Sequence, residues 1–124
     1  MTQPLALVLY EKLLPGTQLV NRLQDLKYRV RALTDPAALV SCARQEKPMV
    51  VLADLVSSRQ NVSQALARLK QERDTQHIPV IAFAPDDAAD SRAAASQAGA
   101  AFVVSDAAIV NHLAQLLEQA LAIE

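Results

Sequence analysis

In Lys47-Pro48-Met49-Val50-Val51-Leu52-Ala53-Asp54-Leu55 a proline closes one element and opens another. Pro48 cannot continue a helix. From Met49 to Ala53 there is no polar residue, and an acid, Asp54, ends the run. A short, wholly apolar run of this kind suits a strand covered on both faces, as in a parallel sheet. Leu5 to Tyr10 repeats the pattern, and so does Val80 to Ala84 after Pro79.

The segments between these runs have helical spacing. Pro15 and Gly16 punctuate the loop after the first run, and Leu19, Val20, Leu23 and Leu26 then recur on one helical face. Tyr28 to Leu33 alternates Val30 and Leu33 with Arg29 and Arg31, the pattern of a more solvated edge strand. Thr34-Asp35-Pro36 predicts a helix start, with the helix running to about Glu46. Asn61 caps a third helix with Val62, Ala65, Leu66 and Leu69 on one face. Asp86 or Asp87 caps an alanine-rich fourth helix that Gly99 ends. Ala101 to Val104 is the fifth strand. Ser105 or Asp106 then caps one last helix, with Ile109, Leu113, Leu116, Leu117 and Leu121 turned inward.

The sum is (βα)5: a single α/β domain over residues 1–124, with a doubly wound parallel sheet in the flavodoxin-like order 2-1-3-4-5. Any site is then expected at the carboxyl ends of strands one and three. At 124 residues the chain holds one core and leaves no room within it for an output domain. Aromatics make up only 3%, so Leu, Val, Ile and Ala must build that core, and few rings remain to stack on bases or a flavin.

The formal net charge of −1 gives no broad basic field for nucleic acid. Leu5 to Tyr10 is too short for a signal-peptide core or a membrane span, so a cytoplasmic home without membrane contact is expected. Cys42, among Val40 and Ala43, reads as a small buried hydrophobe rather than a reactive thiol.

The Lys47-Pro48 pair before an apolar strand ending in Asp54 resembles the third strand of response-regulator receiver domains. His77-Ile78-Pro79-Val80-Ile81-Ala82-Phe83-Ala84 is similar to that family's fourth strand, and Gln97-Ala98-Gly99-Ala100 to the end of its fourth helix. The resemblance covers essentially the whole chain. It implies five functional positions: two acids ending strand one, a phospho-accepting aspartate ending strand three, a hydroxyl ending strand four and a lysine ending strand five. The acids and the acceptor would hold Mg²⁺. Here the acid pair is Tyr10-Glu11, the acceptor is Asp54, the hydroxyl position is Ala84 and the lysine position is Ser105. The family's Met-Pro-x-x-x-Gly stretch is replaced by Val56-Ser57-Ser58-Arg59.

Each replacement has a chemical consequence. Phosphoryl transfer to a carboxylate depends on positioning and charge neutralisation. Glu11 and Asp54 leave two acids for weak Mg²⁺ binding at most. Ala84 cannot donate a hydrogen bond to a phosphoryl oxygen, and Ser105 brings no positive charge to it. Lys12 or Arg59 could stand in for the missing lysine. The resemblance thus implies a degenerate, non-enzymatic receiver of a bacterial two-component phosphorelay, acting through protein contacts with weak or no phosphorylation switching. Its partners would be proteins: a histidine kinase, a phosphotransfer protein or a second copy of the chain. The alternative is a working response regulator using Asp54 and Mg²⁺. A flavin or small-molecule binder on the same fold is a third reading, opposed by the missing phosphate loop: Gly16-Thr17 lacks the glycines and lysine it needs.

The remaining polar residues have plainer readings. Asp86, Asp87 and Asp90 suit a helix cap and first turn. His77, before a strand, and His112, on a helix, lack neighbours at metal-ligand spacing.

Overall fold

The computed structural model describes residues 4–10, 13–55, 62–85 and 89–122. Five strands, β1 (Leu5–Leu9), β2 (Arg29–Leu33), β3 (Val50–Asp54), β4 (Val80–Ala84) and β5 (Phe102–Ser105), form one sheet in the order β2-β1-β3-β4-β5. All four pairings are parallel, with Leu7 beside Val51 and Val8 beside Leu52 at the centre. Every residue of β1, β3 and β4 is buried, whereas Arg29, Arg31 and Ala32 of β2 are exposed. The apolar runs are therefore central and the alternating one is an edge, as their patterns require.

The α-helices among the described residues are α1 (Leu13–Asp25), α2 (Leu39–Glu46), α3 (Val62–Gln71), α4 (Ala89–Ala98), α5 (Asp106–Asn111) and α6 (Leu113–Ala122). Side-chain alternation along the strands splits the core into two layers. Leu7, Leu9, Val51, Ala53, Val80 and Ala82 face Leu39, Cys42, Leu66, Leu69 and Ala95 of α2, α3 and α4. Ala6, Val8, Val50, Leu52, Ile81 and Phe83 face Leu19 and Leu23 of α1, Ile109 of α5, and Leu113, Leu117 and Ala120 of α6. Each fully buried leucine or phenylalanine contributes about 1.5–3 kcal/mol, so both layers matter to stability. Cys42 packs in the first layer as expected.

Four local expectations need correction. Pro15 and Gly16 lie within α1, not in a loop before it. A proline in the first helical turn gives up no hydrogen bond, because the N–H groups there have no intrahelical acceptor. Leu26 falls just beyond α1 and is 39% exposed, so it does not join Leu19 and Leu23 in the core. The helix expected from Thr34 begins as a 3-10 turn, Pro36–Ala38, with the Asp35 carboxylate accepting from the Ala37 N–H at 3.0 Å. The last helix is divided at His112, whose φ of −120° and ψ of 24° leave the helical region. Hydrogen bonds from His112 N–H to Ala108 and from Leu116 N–H to His112 carry the chain through the break. Ile109, Leu113 and Leu117 are buried and Leu116 is half-buried, while the side chain of Leu121 lies outside the described residues. The expected caps Asn61, Asp86 and Asp87 also lie outside them.

Gly99 ends α4 with φ of 109°, a conformation that side chains resist. A Cβ there would stand 2.9 Å from the Cγ of Lys70. The Lys70 ammonium donates to the Gln76 and Ile78 carbonyls, which ties α3 to the segment entering β4.

Candidate functional site

Parallel pairing brings the ends of β1, β3, β4 and β5 to one edge of the sheet. Leu9 lies beside Ala53, so Tyr10 follows level with Asp54. Asp54 lies beside Phe83, and Ala84 beside Ser105. Neighbouring strands stand about 4.8 Å apart, so these residues form one short row. This is the carboxyl edge at which ligands of open α/β sheets bind.

Asp54 is 1% exposed at the end of an apolar strand. The backbone locks its surroundings: Leu55 N–H donates to the Phe83 carbonyl at 2.9 Å, and Tyr10 N–H to the Leu33 carbonyl at 2.9 Å. The half-buried Tyr10 packs against the core layer beneath α1 and α5. Where an acid would reach toward a cation, the chain thus places a ring anchored in apolar surroundings.

Ala84 is fully buried and has no donor. The Ser105 hydroxyl accepts the Ala108 N–H at 3.1 Å and caps α5. Its role is local, since it satisfies a backbone donor that the first helical turn leaves open. Beside it, Oδ1 of Asp106 is buried with no hydrogen-bond partner among the described residues. Among the described residues this end of β5 therefore carries a carboxylate and no cation.

The structure brings Tyr10, Asp54, Ala84 and Ser105 together. Glu11, Lys12 and Arg59 lie outside the described residues, as does the Val56-Ser57-Ser58 stretch. The described residues supply one buried carboxylate, Asp54, to the row, and no group of three or more His, Cys, Asp or Glu side chains able to hold a metal occurs among them. Mg²⁺ is ordinarily held by one or two carboxylates together with phosphate oxygens and water, and Asp54 is the carboxylate that the described row offers. His77 and His112 are both exposed and join no such group. No helix among the described residues is long and apolar enough to cross a membrane.

Sequence reasoning missed a second concavity. Arg44, Lys47, Arg73, Asp74, His77 and Ile78 surround it at the amino ends of β3 and β4. Nothing local announces it, because its residues come from two segments joined only by the fold.

No family model matches the chain, and no curated protein matches it at a significant level. Solved structures do. The fold is similar to the receiver domain of the sensor histidine kinase PA1611 from Pseudomonas aeruginosa PAO1, with a TM-score of 0.88 over 98% of this chain and 99% of that one at 18% identity. That structure has a magnesium ion coordinated in its active-site cleft. The receiver domain of NtrX from Brucella abortus matches at a TM-score of 0.84, covering 96% of this chain and 99% of that one at 17% identity. The signal receiver domain of a modulated diguanylate cyclase from Desulfovibrio desulfuricans G20 matches at 0.82, covering 98% and 95% at 19% identity. The chain has the receiver-domain fold, with its five-stranded parallel sheet in the order 2-1-3-4-5.

Proposed function

We propose that a chain with this fold and this carboxyl edge serves bacterial two-component signalling as a receiver-like module, acting in the cytoplasm by protein contact rather than as an enzyme. In this reading, phosphorylation switches it weakly or not at all. One observation carries the proposal: Ala84 and Ser105 face each other in register, and the Ser105 hydroxyl is engaged as a helix cap. Among the described residues, a phosphoryl group on Asp54 would meet neither a mobile hydroxyl nor a lysine. A modification that makes no differential contact with two conformations cannot change their populations.

Asp54 and Glu11 would bind Mg²⁺ weakly, Asp54 from the end of β3. Partners would be a histidine kinase, a phosphotransfer protein or another copy of the chain, meeting the surface around α4, β5 and the last two helices. Gln115 and Gln119 are exposed on α6 and belong to that surface. The retention of Asp54 at a strand end favours a second reading, a working phospho-acceptor.

Amide shifts on adding Mg²⁺ and then beryllofluoride separate the two. The expected response stays near Asp54, and the Asp54→Asn variant keeps its partner binding, whereas changes at Gln115 or Gln119 weaken it. Efficient labelling of Asp54 by acetyl phosphate, with broad shifts across Phe102–Ser105, would overturn the proposal in favour of the second reading.

A further inference from the structure

The basic concavity at the amino edge lies at the far end of β3 and β4 from Asp54. Each of these strands has five residues, so the two edges are about 15 Å apart. Its volume is about 420 Å³, within the range of small-ligand sites. Arg44, Lys47 and Arg73 face one carboxylate, Asp74, and His77 adds an imidazole. The groove thus carries a surplus of two positive charges in a chain whose formal net charge is −1.

Two of these cations are uncommitted. Asp74 pairs with Arg44 at 3.7 Å. Among the described residues the side chains of Lys47 and Arg73 have no hydrogen-bonded or ion-paired partner. Cations near helix carboxyl ends ordinarily offset the helix dipole. That accounts for Arg44 in the last turn of α2 and for Lys47 at its C-cap, but not for Arg73 and His77, which lie beyond the end of α3 and join them around one concavity. The carbonyl end of α2 opposes an anion here, so a ligand must engage several cations at once.

We infer that this groove binds a small anion carrying two or more phosphate charges. The guanidinium forks of Arg73 and Arg44 suit phosphate oxygens bidentately, and the Lys47 ammonium adds a point charge. The lining contains no Phe, Tyr or Trp ring, so the charges of the ligand, met by Arg44, Lys47 and Arg73, carry the recognition. The inference is independent of what happens at Asp54.

The test is amide-shift titration of the whole chain with inorganic phosphate and with pyrophosphate at fixed ionic strength. Pyrophosphate is expected to shift Lys47, Arg73 and His77 and to bind about tenfold tighter than phosphate, a difference of about 1.4 kcal/mol. Lys47→Gln with Arg73→Gln should weaken pyrophosphate by about tenfold or more. Arg22→Gln with Lys27→Gln, which removes equal charge from the α1 region, should leave it unchanged. No shift at these amides in the unmodified chain overturns the inference, whatever the variants do. Equal losses in both double variants overturn it as diffuse charge attraction. Tighter binding of a tetraglutamate peptide than of pyrophosphate overturns it in favour of protein docking.

Discussion

The two edges of the sheet are built from the same strands and have opposite characters. At the carboxyl edge the row Tyr10, Asp54, Ala84, Ser105 is buried or half-buried and carries no cation among its described residues. At the amino edge Arg44, Lys47 and Arg73 stand in solvent around a groove. Among the described residues, the edge where this fold ordinarily concentrates its chemistry is buried and without a cation, while the opposite edge is exposed and cationic. The strands set the positions available, and a few substitutions at their ends decide what each edge does.

The largest expected effect lies beneath the carboxyl edge. Phe83 is fully buried beside Asp54, and Phe83→Ala should cost about 3–5 kcal/mol in chemical denaturation. A loss below about 1 kcal/mol would mean that this edge is loosely packed, and the contrast between a buried and an exposed end would fail.

A smaller effect sharpens the role of Ser105. Ser105→Ala should lose about 1 kcal/mol, because the Ala108 N–H loses its acceptor. Ser105→Lys combined with Ala84→Thr should lose a similar amount, yet extend the beryllofluoride response into β5. If Ser105→Ala is neutral in thermal unfolding, the cap does not hold the serine in place.

The smallest effect belongs to the amino edge. Tyr28, which leads into β2, is half-buried, and desolvation raises its phenol above the usual value. Folding therefore favours the neutral phenol. That contribution is fully present below about pH 10 and is lost as pH rises through the raised value. Absorbance titration should show a late-ionising phenol that disappears in Tyr28→Phe. Loss of only ordinary-range phenol ionisation in that variant would contradict it.

The sheet was legible because burial on two faces leaves no alternative to the runs around Val8, Val51 and Ile81. The carboxyl edge with Asp54 followed from their order, whereas Ala84 and Ser105 were singled out only through the resemblance to the family's strands. Local signals failed where one residue type serves two purposes. Pro15 suits a first helical turn as well as a loop, and no glycine or proline marks the break at His112. The basic groove was invisible for a different reason. Arg44 and Arg73 are far apart in the chain, and only the parallel crossover through β3 and α3 makes them neighbours.

The bond between Lys70 and the segment entering β4 also limits what can stand where α4 ends. The Lys70 stem passes beside Gly99, and the Lys70 head is fastened to the Gln76 and Ile78 carbonyls. A side chain at position 99 would have to displace that stem, and the stem cannot shift without loosening the head from the two carbonyls. One lysine thus links the residue chosen at the end of α4 to the way the chain enters β4.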